Sequence, residues 1–523
     1  MHLSGMLGRN VVISSATIPP DLAEALFHAF QKGVESYNYF YGQSKNIMAA
    51  WCDEFDTKVA SVRFSDNSNY EFLHQQFVSK RVEKLKKLPV KRKSHIVQSE
   101  LFRGFSETEK LISLPELYRA YFSVIQREVI ALHDNNFIVD RKTGKKVSLG
   151  VVRMGNINPC VYLSRFLMQS DWQEDYRAYI MAYHSRQILL MRHEQEKYLD
   201  KILKRKKENA FTTEINDEVL RYHIDHTAEN NILFIVVATP VEEVGRDHDF
   251  DWALLEPSSF RSIVQMAGRV RRHRPVTEQH ENNIAVMPYN LNAMQNEIID
   301  KKTDKLAYKN PGYEVSERYR LLSHDMQTLA GQYIEQQKID ACPRILKPEQ
   351  LNPGCNMVHL EHQVMADIND WSVYGPQWMH GWTDEYWWLT GLPQKFNAFR
   401  QGEMQVKLYA IYNKGKIVFS EFDGENMIPR EMVWNIEKSN IEDDKIKARC
   451  WLQRDYVEVL RKYALERQKK SADNYKKIED FMEEVSNKYG EINIPNNEKQ
   501  DWLYSDQFGM IRKKEGERAL WDC

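Results

Sequence analysis

The sequence predicts an α/β protein: a mostly parallel sheet with helices on both faces, followed by a smaller α+β domain. Three observations carry that reading. Ile232–Ala238 and Trp252–Leu255 are almost wholly apolar and end in polar residues, the pattern of strands buried on both faces. Such runs alternate with stretches of helical periodicity across residues 95–342, which places helices on both faces of the sheet. From residue 357 onward the chain turns aromatic, with Trp371, Trp378, Trp382, Trp387, Trp388 and Trp451.

In order along the chain, Asn10–Ser14 reads as a buried strand whose end presents Ser15 and Thr17. Pro19 and Pro20 open a helix reaching Gln31, since proline suits the first helical turn. Lys58–Arg63 has strand character, and 67–93 reads as a charged helix. Leu114, Leu117, Tyr121, Ile125, Val129 and Leu132 recur at helical spacing, and Asn135 and Asn136 end that helix. Strands follow at Val147–Arg153 and Arg177–Tyr183, with a helix opening at Asn158-Pro159 between them. Gln187–Lys207 reads as a helix that leads into an exposed connection. Past the two apolar runs, Gln265–Arg272 reads as a short helix and Asn283–Met287 as a further strand. Tyr319–Ile334 again has helical spacing, and 343–356, with three prolines and one glycine, reads as a linker. Val406–Tyr412 and Lys416–Phe419 flank Asn413-Lys414-Gly415 as a hairpin. Lys445–Lys470 and Asn474–Tyr489 read as helices with solvated charged faces. The expected division is 1–60, the end of a first sheet domain; 61–94, a charged connector; 95–342, a second sheet domain; 343–370, a linker; and 371–523, a C-terminal domain.

A chain of 523 residues is too long for one core, and 42% hydrophobic residues suffice to pack several. The net charge of -2 means that any nucleic-acid contact must use local patches such as Lys80–Lys93 or Lys201–Lys207. A charged helix face explains those patches equally well. The six cysteines, Cys52, Cys160, Cys342, Cys355, Cys450 and Cys523, include no C-x-x-C pair. This argues against a structural zinc or a disulfide framework and fits a reducing cytoplasm; no metal ligands are assigned. No apolar run reaches transmembrane length, so no membrane partner is expected. The opening MHLSGMLGRN lacks the features of a signal peptide and reads as the tail of a helix leading into a strand. A chain that opens this way is expected to begin inside a domain.

The richest stretch is Val236–Arg274, which ends in Gln265-Met266-Ala267-Gly268-Arg269-Val270-Arg271-Arg272, a Q-x-x-G-R-x-x-R pattern. Two arginines one turn apart on a short helix can address one phosphate chain. Alone, the cluster Arg269, Arg271, Arg272, His273 and Arg274 could as well bind a nucleic-acid backbone. Its place just after two strands of parallel type favours a nucleotide site, because functional loops of such sheets lie at strand ends.

Four elements then fall in a definite order: Ser14-Ser15-Ala16-Thr17, Tyr183-His184-Ser185-Arg186, Ala238–Asp247 and Gln265–Arg272. With these the chain resembles the CRISPR-associated helicase-nuclease family Cas3, of helicase superfamily 2, and in particular its subtype I-F form. The likeness is strongest over Leu3–Pro288. It implies RecA-like motor domains, ATP as the nucleotide, and ATP-driven unwinding and translocation of foreign DNA in antiviral defence. It implies Arg272 as the arginine finger, Arg269 as its companion on the phosphates, and Gln265 as the residue orienting them or touching the attacking water. Gly245, Gly268 and Asp247 are assigned to the nucleotide, with Asp247 on the ribose or fixing an arginine. Ser15, Thr17, His184, Arg186 and Thr239 are assigned to the nucleic-acid path. Implied partners are single-stranded DNA, a Cascade-like surveillance complex, and a missing N-terminal nuclease and motor half. The aromatic C-terminal domain is expected to cap the single-strand channel.

The departures matter as much. The phosphate-binding loop G-x-x-x-x-G-K-[ST] is absent; Lys142-Thr143-Gly144-Lys145-Lys146 lacks the first glycine and the final hydroxyl. Asp53-Glu54-Phe55-Asp56 has the letters of the acidic motif but follows Ser15-Ala16-Thr17 instead of preceding it, and reads as a solvated acidic turn. Mg2+ is therefore expected in the complete protein through residues not in this chain. The family's HD nuclease part and the Cas2-like part of its subtype I-F members are missing as well. The alternative reading is an inactive half-motor that serves as a nucleic-acid-binding or regulatory module.

Overall fold

Six parallel strands form the centre of the molecule. In spatial order they are Lys93–Ile96, Ile284–Val286, Trp252–Leu255, Lys146–Arg153, Asn231–Ala238 and Tyr176–Tyr183. Two short antiparallel strands complete the sheet: Gln337–Lys338 on Lys93–Ile96, and Ile138–Val139 on Lys146–Arg153. The computed structural model describes residues 1–513 apart from 16, 44–45, 63–66, 100–101, 103–112, 206–214, 244, 275–280, 300–303, 310, 371–374, 376–377, 384–386, 388–389, 393–394, 396–403, 440–442, 472–474 and 497–500. The α/β class expected from the apolar runs is the one observed, with smaller antiparallel and mixed sheets beside it.

The two faces of the sheet explain those runs. Ile232, Phe234, Val236 and Ala238 enter one core cluster, while Leu233, Ile235 and Val237 enter the other. Successive side chains of a strand point to opposite faces, so burial on both sides demands an unbroken apolar run. The helices Leu114–Asn136 and Ile157–Gln169 cover one face. Leu189–Leu203, Glu218–His226, Phe260–Ala267 and Met326–Ile334 cover the other. Met357–Ile368 adds Met357, Val358 and Leu360 to that second cluster. Among the described residues no helix is long and apolar enough to cross a membrane.

Several elements differ from expectation. Asn10–Ser14 is not a strand: it lacks regular structure, and Val12 is 92% exposed. A strand exists through its pairing, and among the described residues no strand pairs with this segment. The helix opened by Pro20 runs on to Tyr41, past Gln31, and the charged helix stops at Lys87, after which Lys93–Ile96 joins the sheet. The expected helix Tyr319–Ile334 starts only at Met326, where Asp325 caps it. The expected helix Lys445–Lys470 is two, Asp444–Arg449 and Tyr456–Lys470. The break is where Trp451 N–H donates to the Ile180 carbonyl (3.0 Å), extending the edge of the sheet. The hairpin is present, with Asn413 paired to Lys416, and Lys414 and Gly415 both at positive φ, as a two-residue turn requires. Asp53 to Asp56 form the turn between Ile47–Cys52 and Thr57–Val62, where the Asp53 carboxylate accepts the Phe55 and Asp56 amides at 2.7 Å. Trp434, Trp451 and Trp502 are buried core residues; Trp371 and Trp388 lie outside the described residues.

The two-faced burial has a tight spot. A Cβ on Gly150 would lie 2.1 Å from the Trp252 ring. That ring is held in place by a bond from its Nε1–H to Ser148 Oγ (2.9 Å). Gly150→Ala is expected to destabilise the protein by about 1–3 kcal/mol through overpacking. A lower urea midpoint at unchanged slope would be the signature; a midpoint equal to that of the native chain would show that the ring moves aside freely.

Candidate functional site

The strands Asn231–Ala238 and Trp252–Leu255 flank Lys146–Arg153, so the loop between them crosses over the carboxyl end of the central strand. Ligands of open α/β sheets bind in such crossings. Thr239 begins the loop, buried, with its N–H donating to the Tyr183 carbonyl (3.0 Å) and its own carbonyl accepting the Glu242 N–H (3.1 Å). Gly245 has φ +70°, and nothing lies within 4 Å of where a Cβ would stand. Its backbone conformation, not crowding by this chain, is what calls for glycine.

The helix Phe260–Ala267 starts at Ser259, whose hydroxyl accepts the Ser262 N–H (3.1 Å). It ends at Ala267, with Gly268 as its C-cap. Arg269 and Arg272 therefore lie beyond the helix, not one turn apart upon it, which corrects the sequence expectation. The cause is a competing backbone partner. Phe250 N–H donates to the Arg269 carbonyl (2.8 Å), and Arg271 N–H donates to the Phe250 carbonyl (3.0 Å). Arg271 takes φ 48° to complete that pairing. The half-buried Arg274 anchors the far end on the buried Asp249 (2.8 Å) and Asp251 (2.6 Å).

This geometry sends the two arginines apart. Arg269 donates from Nη2 to the Glu243 carbonyl (2.9 Å) and from Nη1 to the Arg246 carbonyl. Its Nε is buried without a hydrogen-bond partner among the described residues. Burial, reinforced by the charge of Arg272, lowers the Arg269 pKa. Arg272 Nε lies 2.9 Å from Asp247 Oδ1, and His273 Nε2 shares the same oxygen at 2.8 Å.

A cleft of about 430 Å³ brings together Ser15, Thr17, Gly245, Gln265 and Arg269 of the expected residues. Glu243, Arg261, Tyr313 and Arg344 complete its polar lining. Gln265 Nε2 reaches Thr17 Oγ1 at 3.4 Å. Arg344 donates to the Thr17 carbonyl (3.0 Å) and to its hydroxyl, and pairs with Glu361 (3.1 Å). Glu361 also accepts the Arg261 N–H (2.9 Å), and burial raises its pKa against the pull of Arg344. The Glu243 carboxylate is taken up by the buried Arg153 (2.9 Å) and by Ser262 (3.1 Å). The cleft thus offers three guanidinium groups and no carboxylate free of a partner, an electrostatic setting for a polyanion.

The other expected residues stand outside the lining. Thr239, Asp247, Gly268 and Arg272 belong to the framework beside it. His184 is fully buried: its Nε2 lies 2.8 Å from the Phe508 carbonyl, and burial depresses its pKa to about 3. Met510 N–H caps the Arg186 carbonyl (2.8 Å), and the Arg186 guanidinium lies 5.3 Å from the Trp502 ring centroid. In this arrangement His184 is closed to a nucleic-acid strand by the turn that covers it. Sequence reasoning missed Arg153, Glu243, Arg261, Arg344 and Glu361. Arg153 carried a signal, a lone arginine ending a buried apolar strand; Arg344 and Glu361 carried none, because their partners are remote in the chain.

The family model for the C-terminal part of the CRISPR-associated nuclease/helicase Cas3 matches residues 146–275, the span that holds this loop and the arginine segment. The CRISPR-associated nuclease/helicase Cas3 subtype I-F/YPEST of Pseudomonas aeruginosa is 32% identical over 424 residues, covering 79% of this chain and 36% of that protein. The protein of the same description from Pectobacterium atrosepticum is 34% identical over 373 residues, covering 70% of this chain and 32% of that protein. The chain is Cas3-like. It spans about a third of the length of these Cas3 relatives. Among solved structures, that of T. fusca Cas3-AMPPNP aligns over 98% of this chain and 51% of that chain, with TM-score 0.46 and 13% identity, too distant a likeness to bear on the site.

The anchor of the arginine segment is testable. Asp251 is fully buried; burial would raise its pKa, but Arg205 (2.7 Å) and Arg274 more than offset this and hold it at about 2. A carboxyl depressed on folding stabilises the fold fully above its unfolded value near pH 4. That contribution is lost as pH falls through about 2. Asp251→Asn, which removes the carboxylate that Arg205 and Arg274 share, should cost about 3–5 kcal/mol and flatten the acid limb of stability against pH. A variant with native stability and the native acid profile would contradict the anchor.

Proposed function

We propose that this chain supplies the arginine-bearing half of the ATP site in a Cas3-type DNA motor acting in CRISPR defence. One observation carries the reading: a single cleft gathers Ser15 and Thr17 with Gly245, Gln265 and Arg269. Its volume, about 430 Å³, suits a nucleotide. The partnerless Arg269 Nε and the guanidinium groups of Arg261 and Arg344 suit its phosphates. ATP, when bound, supplies the phosphoanhydride whose cleavage drives movement. Arg269 offers its guanidinium to the phosphates where negative charge grows in the transition state. Arg272 is kept beside the cleft by Asp247, in a pair with Arg272 39% and Asp247 35% exposed. Exposed pairs are worth about 0–1 kcal/mol, so turning Arg272 toward the phosphates costs little. The Gln265–Thr17 contact joins the N-terminal segment to the arginine segment, so a change at the phosphates reaches both. Single-stranded DNA is held through its phosphates, which makes movement indifferent to sequence. A CRISPR surveillance complex delivers that strand.

No step assigned to the residues of this chain is routed through magnesium. The second reading, a half-motor that binds without hydrolysis, is favoured for this polypeptide alone. Its sequence lacks G-x-x-x-x-G-K-[ST], and Asp53–Asp56 closes a hairpin in which the Asp53 carboxylate accepts two backbone amides. DNA-stimulated phosphate release from the purified polypeptide is therefore expected at background. Turnover that disappears in Arg272→Ala would defeat that expectation.

In a polypeptide carrying both motor halves, Arg272→Lys keeps the charge but loses the planar fork that grips two oxygens. Hydrolysis should fall by roughly 10² or more, with DNA affinity in the absence of nucleotide unchanged. Arg274→Lys, at the buried Asp249–Asp251 anchor, should lower thermal stability and leave the rate per folded molecule near native. Equal losses of rate per folded molecule in both variants would mean that the cluster acts as a diffuse positive patch, and the motor reading would fall.

A further inference from the structure

A second cavity, of about 640 Å³, lies in the C-terminal part, independent of the nucleotide cleft. It is lined by Lys416, Lys438, Lys447, Arg454 and Gln507, with Asp455 and Asp506. Its walls are the Lys416–Phe422 and Ile436–Lys438 strands, the break between the helices Asp444–Arg449 and Tyr456–Lys470, and the turn before Gly509–Lys513. Both terminal nitrogens of Arg454 are buried with no hydrogen-bond partner among the described residues. So is Nε2 of Gln507, a residue only 5% exposed. Buried donors are almost always satisfied, so three orphan donors in one cavity call for an acceptor.

The two carboxylates of the cavity do not meet that call. Asp455 accepts the Glu458 N–H (2.9 Å) as a helix cap. Asp506 accepts the Tyr504 hydroxyl (2.6 Å) and the Tyr456 N–H (2.9 Å). Neither is ion-paired with Arg454 among the described residues. Lys438 pairs with Glu431 (2.6 Å) and Lys447 with Asp444 (3.7 Å), which leaves Lys416 and Arg454 beside the two acids of the lining. We infer that this cavity binds a phosphate-class oxyanion, gripped by the Arg454 guanidinium and the Gln507 amide. Arginine's planar fork matches such oxygens two at a time. Burial pushes the Arg454 pKa down to about 10, with Tyr504 and Asp506 opposing, so its charge is held at a cost that an anion offsets. The volume exceeds one phosphate, which leaves room for the rest of a larger phosphate-bearing molecule. The turn carrying Gln507 also covers His184 and, through Met510, caps Arg186. An anion here therefore steadies the joint between the C-terminal part and the edge of the motor sheet.

Calorimetric titration of the whole chain with inorganic phosphate, against sodium chloride at equal ionic strength, tests this. Saturable phosphate binding is expected, weakened tenfold or more in Arg454→Met and in Gln507→Leu. Arg454→Met removes an unpaired buried charge, so its melting temperature without phosphate should equal or exceed the native one. A purely structural arginine would give the opposite. Binding at native affinity in both variants, or none in the native chain beyond the chloride control, overturns the proposal. Competition with an oligothymidylate lacking terminal phosphates then separates the sources. Displacement of phosphate assigns the site to strand phosphates, and undiminished binding assigns it to a free phosphate compound; either result supports the oxyanion site.

Discussion

Burial of the central sheet on both faces is the constraint from which the rest of the structure follows. Strands with core on either side are mostly apolar along their length, and a polar group there, such as Ser148, is hydrogen-bonded, while the charged groups of the cleft gather at the carboxyl ends. Arg153 shows the rule at its limit. It closes a strand whose preceding residues are buried, and its guanidinium is held by Glu243, the Glu256 carbonyl and Ser258 at 2.7–2.9 Å. A buried charge is tolerated only when so fully engaged. The same engagement takes up the Glu243 carboxylate, which leaves the neighbouring cleft with an excess of positive charge.

A second set of buried ion pairs shapes the arginine segment. Asp249 and Asp251 hold Arg274, and Asp251 also holds Arg205 and accepts the Leu149 N–H (2.7 Å). These contacts anchor the far end of the segment, whose residues 269–271 lie against Phe250 just after the helix stops at Ala267. Helical propensity is worth tenths of a kcal/mol per residue, while breaking a buried ion pair costs several, so the tertiary contacts win. The consequence is functional. Arg269 and Arg272, adjacent on a notional helix, take separate stations, one inside the cleft and one on Asp247 beside it.

The C-terminal part is not a loose appendage. Trp451 continues the sheet edge at Ile180, and the turn before Gly509 seals His184. At Gly509 a Cβ would stand 2.3 Å from the Arg186 carbonyl, so the glycine is needed for the two backbones to meet. Trp434, Trp451 and Trp502 of the aromatic C-terminal part are buried core on which this contact is built. The basic cavity beside Arg454 borders segments fixed by that docking.

The strands were legible in the sequence because two-faced burial writes itself as an apolar run, as in Ile232–Ala238, and needs no knowledge of the partner strand. The Cas3 likeness was legible for a related reason: Gly245, Gln265 and Arg269 sit in short motifs whose order survives without coordinates. What the sequence misread were segments whose state depends on neighbours. Asn10–Ser14 has strand composition and no strand paired with it among the described residues, Lys93, expected to end a helix, opens a strand, and the helix before Arg269 was cut short by Phe250. The partners that tie the cleft together, Arg344 to Thr17 and Glu361 to the Arg261 amide, are separated by 327 and 100 residues. Local pattern fixes which residues are apolar or cationic, because that is chemistry carried by each side chain. Which of them meet is decided only when distant backbone groups compete for the same hydrogen bonds and the same buried charge, and that competition is settled in three dimensions.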